Sequence, residues 1–481
     1  MSFSDIATLL PETFLVLWAS VLLLVDLFIP RQRKGWTAAL AAFGLILTLY
    51  LAVAQGSGLG AGFGGMVVSD GFATFLGAVL VVSGLLGVAL AYDYLKRLQM
   101  VRGEYYTLLL FSVAGMMLMA KAADLMVMFL ALELLSIPLY VLAAFGRPLA
   151  RGEEAGLKYF ILGAFAAAFL VYGIALTYGA TRTTLIDGIA QAAASGTANM
   201  LLLAVGGGLL LVGLGFKVAA VPFHMWTPDV YQGAPAPLTG FMAAGAKVAG
   251  FAALLRVLVL AYPALAAQLT PIVWALALLT MVVGNLAALA QKDIKRMLAY
   301  SSIAHVGYML VAVVAFGNAA LSATAVAAVL FYLLAYAATN FGAWSVVVAL
   351  EQREGRGTAI ADYAGLGRTH PWLALAMTVF MLSFGGFPPT VGFVGKFYLF
   401  RVALDAGYVG LAIVGVLASV VSVYYYMRVV TTMYMREGTP EARCDGWLNL
   451  GVGLSALATV ALGIVVAPAF QWAMRAVMRA F

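Results

Sequence analysis

The chain has 481 residues, 64% of them hydrophobic and only 10% charged. A soluble domain carries about 25% charged residues, so this composition excludes one and indicates an integral membrane protein. The net charge of +7 is the surplus expected of cytoplasmic loops, not of nucleic-acid binding, and the single cysteine, Cys444, excludes internal disulfides and a cysteine set for an iron–sulfur cluster.

A transmembrane helix needs about 20 mostly apolar residues. On that criterion the sequence predicts an all-α polytopic protein of about 14 spans, near 9–29, 36–54, 72–95, 105–120, 124–145, 153–180, 199–230, 236–260, 271–290, 295–316, 321–349, 371–402, 409–434 and 449–472. The first has no basic leader and no small-residue cleavage site, so it is expected to be a retained span and not a signal peptide. The seventh and twelfth are too long for one straight crossing. With the N-terminus outside, the inward connections hold 17 basic residues, among them Arg147, Lys292, Lys295, Arg353 and Arg443. The outward ones hold 6, among them Lys121, Arg256 and Arg479. This bias predicts that both termini lie outside.

The seventh span contains Pro222 and Pro228, and the twelfth contains Gly385, Gly386, Pro388 and Pro389. Proline removes a backbone donor, and an interrupted helix at membrane depth must face protein or a water-filled cavity. The two spans are five apart and therefore cross in opposite directions. Paired, interrupted helices in oppositely oriented halves are the mark of inverted-repeat transporters.

Five ionisable residues lie at depth: Glu133, Lys158, Lys217, Lys247 and Lys396. Each costs roughly 2.5–3.5 kcal/mol at a helix centre even on a lenient scale. Together they imply a route for charge, because a buried lysine next to a tunable acid can trade a proton. Lys158 stands nearer a helix end, where it could also reach the interface. His224 and His305 are candidate relay residues, since imidazole titrates near neutrality; a packing role is the other reading of each. No His, Cys or carboxylate set has metal-ligand spacing, and no glycine fingerprint for a dinucleotide is present.

The stretch from Ala288 to Leu310, ALAQKDIKRMLAYSSIAHVGYML, resembles a signature of the antiporter-like subunits of respiratory complex I, the NADH:quinone oxidoreductase. So do Lys217 to Lys247 and Phe129 to Leu142, and the likeness covers essentially the whole chain. Within this proton-conducting transporter family the chain is most similar to the subunit N branch, through Lys396 in the twelfth span and the early Leu10-Pro11-Glu12.

The resemblance implies a three-helix segment over 1–104 and inverted five-helix repeats over 105–262 and 263–434. A last helix would fall in 435–481. It implies proton translocation through Glu133, Lys158, Lys217, Lys247 and Lys396, with Glu133 paired to Lys158. It also implies no cofactor in this chain. FMN, iron–sulfur clusters and quinone would belong to partner subunits, and sister antiporter-like subunits would be neighbours in the bacterial inner membrane. A subunit of a cation/proton antiporter without a redox partner, and a non-conducting membrane scaffold, are the alternatives.

Overall fold

Inside a bilayer the backbone has no water to bond, and an apolar run satisfies its N–H and C=O groups only as helix or closed barrel. The chain takes the helical solution. A computed structural model of the protein describes residues 3–56, 60–146, 150–352, 355–443, 445–476 and 478. Arg147, Arg353, Cys444 and Arg479 lie outside them. In chain order the main helices are α1 (Leu10–Asp26), α2 (Gly35–Gln55), α3 (Gly71–Arg97), α4 (Glu104–Lys121), α5 (Leu125–Ala143), α6 (Ala150–Thr181), α7 (Met200–Val218) and α8 (Trp226–Gly233). Then come α9 (Ala236–Ala261), α10 (Ala266–Leu289), α11 (Ile294–Val313), α12 (Ser322–Leu350), α13 (Pro371–Gly385), α14 (Val391–Asp405), α15 (Val409–Met435) and α16 (Gly446–Ile464).

Among the described residues eleven helices are long and apolar enough to cross a membrane, and each falls on one of the predicted spans. The three other predicted spans hold α1, which has 17 residues, α4, which ends in charged Glu104 and Lys121, and the pair α13–α14. The most enclosed stretches are Ile294–Gly317 and Ala236–Ala261, buried over 94% and 89% of their apolar windows. Gly446–Ile464 is buried over only 28%. Thus α9 and α11 form the centre of the bundle, and helices such as α16 turn most of their surface outward.

Both predicted breaks are present, and they are built alike. Helix α7 ends at Val218, with Ala219 in the left-handed region at φ 66° and the Ala220 N–H bonded to the Gly215 carbonyl at 2.8 Å. Helix α13 ends at Gly385, with Gly386 at φ 82° and the Phe387 N–H bonded to the Leu382 carbonyl at 3.0 Å. Each is a six-to-one helix stop that satisfies carbonyls the helix leaves open. Pro222 lies in the first gap. Pro228 lies in the first turn of α8, where its missing donor removes no helical bond, so only one of the two prolines interrupts the span. Helix α9 carries two wide, π-helical turns, Met242–Ala246 and Arg256–Ala261, and Lys247 comes directly after the first.

The connections sort onto two faces. One cavity is lined by residues at 98 and 100, 146 and 150–152, 232–235, 293 and 295, and 351–352, 355 and 358, at the ends of alternate connections. On the other face Val67 pairs with Ala122 and Asp124 with Leu185, while a short antiparallel ribbon joins Gly60–Gly62 to Val67–Ser69. Alternate connections therefore meet on the same side, as the charge count requires.

Three cations assigned from sequence to the connections are instead buried partners. Arg256 donates to Asp70 Oδ1 at 2.9 Å and to the Ala120 carbonyl, with both side chains fully buried. Lys121 meets Glu12 at 2.9 Å, and Lys295 meets Glu351 at 2.7 Å. In each case an acid from a distant part of the chain closes over the cation, which sequence distance conceals. Removing one partner leaves an uncompensated buried charge. Asp70→Ala should therefore cost about 3–5 kcal/mol, and adding Arg256→Met should recover part of that loss; thermal unfolding in detergent measures both.

Candidate functional site

Lys217 is the last residue but one of α7, and the stop at Ala219 fixes its position. Its side chain is buried, with Nζ donating to Ser136 Oγ of α5 at 2.7 Å. Ser136 lies three residues beyond Glu133, one helical turn away on the same side. Across that turn the Glu133 carboxylate and the Lys217 ammonium attract each other. The Tyr159 ring lies 5.7 Å from Nζ and stacks on Trp226 at 4.6 Å. Trp226 Nε1 donates to the Phe216 carbonyl at 3.0 Å and so clamps the start of α8 against the end of α7.

Lys247 lies at the centre of the bundle, 2% exposed. Its Nζ donates to the Ser302 carbonyl at 2.8 Å and to Ser302 Oγ. Ser302 Oγ also accepts from the Tyr336 hydroxyl at 2.9 Å. Asn340, one turn along α12, donates to the Gly240 carbonyl at 2.9 Å and holds α12 against α9. Gly250 stands three residues after Lys247, and a Cβ there would lie 3.6 Å from Lys217 Cγ. The stem of Lys217 thus packs on the helix that carries Lys247.

His305 lies one turn beyond Ser302 on α11. Its Nδ1 is 2.6 Å from the Tyr332 hydroxyl and its Nε2 is 3.1 Å from the Tyr426 hydroxyl, which in turn is 2.5 Å from Ser301 Oγ. Lys396 comes from α14, after the second break. Its Nζ donates to the Phe384 carbonyl at 2.8 Å and to Ser419 Oγ at 2.7 Å, 4.6 Å from the centre of the Tyr308 ring. The Phe384 carbonyl is one that the end of α13 leaves open. A Cβ on Gly386 would come within 3.1 Å of Lys396 Cδ, at a φ that already favours glycine.

Lys217, Lys247 and Lys396 share one arrangement: each ammonium donates to a serine hydroxyl from another helix, Ser136, Ser302 or Ser419. A hydroxyl accepts a bond from an ammonium and can equally donate one to a neutral amine. It therefore serves both protonation states. The sequence reading missed these serines. Their signal was present, since a serine inside an otherwise apolar span is a polar group that needs a partner.

The structure separates Lys158 from this set. It pairs with Glu154 at 2.6 Å and Asp229 at 2.8 Å, its side chain 40% exposed, and Arg296 meets the other oxygen of Asp229 at 2.7 Å. Among the described residues no ion pair joins Lys158 to Glu133. Glu154 lies one turn back on the same helix face, and α8 brings Asp229 alongside, while Glu133 sits one turn from the serine that holds Lys217. His224 stands in the first break, half-buried, with Nδ1 unpartnered. Among the described residues no group of three His, Cys, Asp or Glu could hold a metal ion.

The profile of the family described as NADH:quinone oxidoreductase/Mrp antiporter, TM, matches residues 122–422. These residues include Lys158, Lys217, Lys247 and Lys396. The chain belongs to this family. It is 47% identical, over 98% of its length and 97% of the relative's, to NADH-quinone oxidoreductase subunit N of Trichlorobacter lovleyi. It superposes with a TM-score of 0.82, at 38% identity, on a chain of respiratory complex I from Thermus thermophilus, covering 96% of this chain and 98% of that one. A chain of the Mrp complex from Dietzia sp. gives a TM-score of 0.85 at 23% identity, covering 99% and 97%, a likeness of fold alone.

The pairings make two expectations. Ser302→Ala removes a hydroxyl shared by Lys247 and Tyr336 and should destabilise the protein by about 1–3 kcal/mol, read as a shift of thermal unfolding in detergent. In a double-mutant cycle on activity, Lys158→Met should couple to Asp229→Asn, and Lys158→Met with Glu133→Gln should be additive.

Proposed function

We propose that this chain is a proton-translocating membrane subunit of an NADH:quinone oxidoreductase, and that Lys217, Lys247 and Lys396 carry the proton. The observation that supports this most directly is three buried lysines, each on a neutral hydroxyl, strung between two broken helices of a chain closely similar to subunit N. Quinone reduction in other subunits supplies the driving force. FMN, iron–sulfur clusters and the quinone belong to those partners, and sister antiporter-like subunits are its neighbours in the membrane arm.

In this reading residues 105–262 and 263–434 are two inverted units. The similarly built stops at Ala219 and Gly386 support that division. The chain sits in a bacterial inner membrane with both termini on the periplasmic side. The face that holds the cavity lined by Gly146, Gln232, Lys295 and Glu351 is then the inner one.

Glu133 acts on Lys217 across the Ser136 turn. When the carboxylate is charged it favours the ammonium, and when it is neutralised Lys217 releases its proton toward Lys247. His305 and its tyrosine hydroxyls lie on α11, α12 and α15, the first two of which Lys247 reaches through Ser302, and they bridge toward Lys396. Lys396 then releases the proton outward. Lys158 stands apart as an inner-face ion pair that steadies α8 at the first break, with Asp229 between it and Arg296. His224, in the same break, is a relay residue on the way to Lys217 in this reading, and its unpartnered Nδ1 supports that role.

Reconstituted vesicles test the proposal. Lys217→Ala and Lys396→Ala should each leave assembly intact and lower NADH-driven pumping at least about tenfold. Lys217→Arg should fail as well, because a guanidinium does not give up its proton in a protein. Near-normal pumping by Lys217→Ala would refute the relay. Purification of the chain without flavin or iron–sulfur subunits would refute the complex.

A further inference from the structure

A second group of buried charges lines a partly open cavity. A cavity of about 240 Å³ lies under the inner connections, and Lys295 and Glu351 both line it. Their side chains are nonetheless only 2% and 7% exposed. Glu351 Oε1 accepts from Lys295 at 2.7 Å. Oε2 accepts from the Tyr94 hydroxyl at 2.8 Å and from the Ala236 N–H at 3.3 Å. Lys295 also donates to the Ala234 carbonyl at 2.7 Å.

One carboxylate therefore joins the inner ends of four helices: α12, which it terminates, α3 through Tyr94, α9 through Ala236 and α11 through Lys295. Two of these helices lead to the lysine chain. Helix α9 carries Lys247. Helix α11 carries Ser302, seven residues and two turns from Lys295, roughly 10 Å at the helical rise. Tyr231 of α8 is buried, and its neighbours Gln232 and Gly233 line the cavity. Its hydroxyl lies beside Ser302, the serine that holds Lys247.

We propose that Glu351, paired with Lys295, is an inner proton-uptake gate that feeds the lysine line at Lys247, beside the entry through Lys217. Glu351 takes a proton from water in the cavity, and its neutral carboxyl releases Lys295. The proton then passes through the hydroxyls of Tyr231 and Ser302 to the amine of Lys247. Each hydroxyl gives up its own proton as it accepts the next, and Glu351 returns to carboxylate. The net change is one proton lost from cavity water and one gained by Lys247. The other titratable groups that face Glu351 are Tyr94 and Arg97 of α3 and Tyr363 of the turn after α12. Asp293 and Arg151 stand on the cavity wall, and Arg443 and Asp445 lie near Arg97. The gate rests on the translocation reading above.

Inverted membrane vesicles holding the whole complex expose this face to the buffer. If Glu351 gathers protons, its loss matters most where protons are scarce. NADH-driven pumping by Glu351→Gln, relative to the unaltered complex, should fall at least about threefold as the buffer is raised from pH 6 to pH 8. Glu351→Asp should restore it. Tyr231→Phe, which removes only a hydroxyl, should show the same trend and serves if Glu351→Gln does not assemble. A loss of equal size at every pH identifies a structural clamp and overturns the gate, as does unaltered pumping. If Lys217→Ala abolishes pumping while both pH ratios stay flat, the gate alone falls. If Lys217→Ala pumps normally, the translocation reading falls with it.

Discussion

A cation buried in a membrane bundle must be solvated by the protein, and the kind of partner decides what it can do. This chain uses two kinds. Arg256, Lys121 and Lys295 are each closed by a carboxylate. Lys217, Lys247 and Lys396 are each closed by a serine hydroxyl and by backbone or aromatic dipoles. A carboxylate fixes the cation for as long as it stays ionised, because separating the charged pair leaves an uncompensated charge on both sides. A hydroxyl fixes the position without fixing the charge. In the proposed relay these three lysines are held in place while their proton stays negotiable, and the electrostatic influence of Glu133 on Lys217 has something to act on.

The fold places these groups by breaking helices. Each break frees carbonyls, and one of them, at Phe384, becomes a ligand for Lys396. Lys217 is carried at the end of its half-helix and Lys396 in the half-helix after the break, so the two breaks are alike in backbone and different in the side chain they present. The wide turn ahead of Lys247 serves the same end, since a π-helical turn changes the facing of the residues beyond it. The result is a polar line through α5, α7, α9, α11, α12, α14 and α15 that crosses the two most enclosed helices, α9 and α11.

The comparison with relatives and the geometry bear on different links of the argument. Identity over nearly the full chain establishes the family. The same fold in a chain of the Mrp complex shows that the architecture alone does not fix the assembly in which a chain works. The serine-held lysines describe what the site can carry, and the relatives describe the company in which it would do so.

Hydropathy and proline placement determined the helical segments, the two breaks, the depth of Lys217, Lys247 and Lys396, and the sorting of connections onto two faces. These are local properties, set by how an apolar run satisfies its own backbone. The partners were decided only by the tertiary structure. A helix that is apolar all round carries no stripe to fix its rotation, so the sequence could not tell that Glu133 lies one turn from the serine that holds Lys217. Nor could it tell that Lys158 meets Asp229. Lys121, Arg256 and Lys295 read as loop charges for the same reason. Their acids lie 109, 186 and 56 residues away along the chain, and only packing brings them within hydrogen-bond reach.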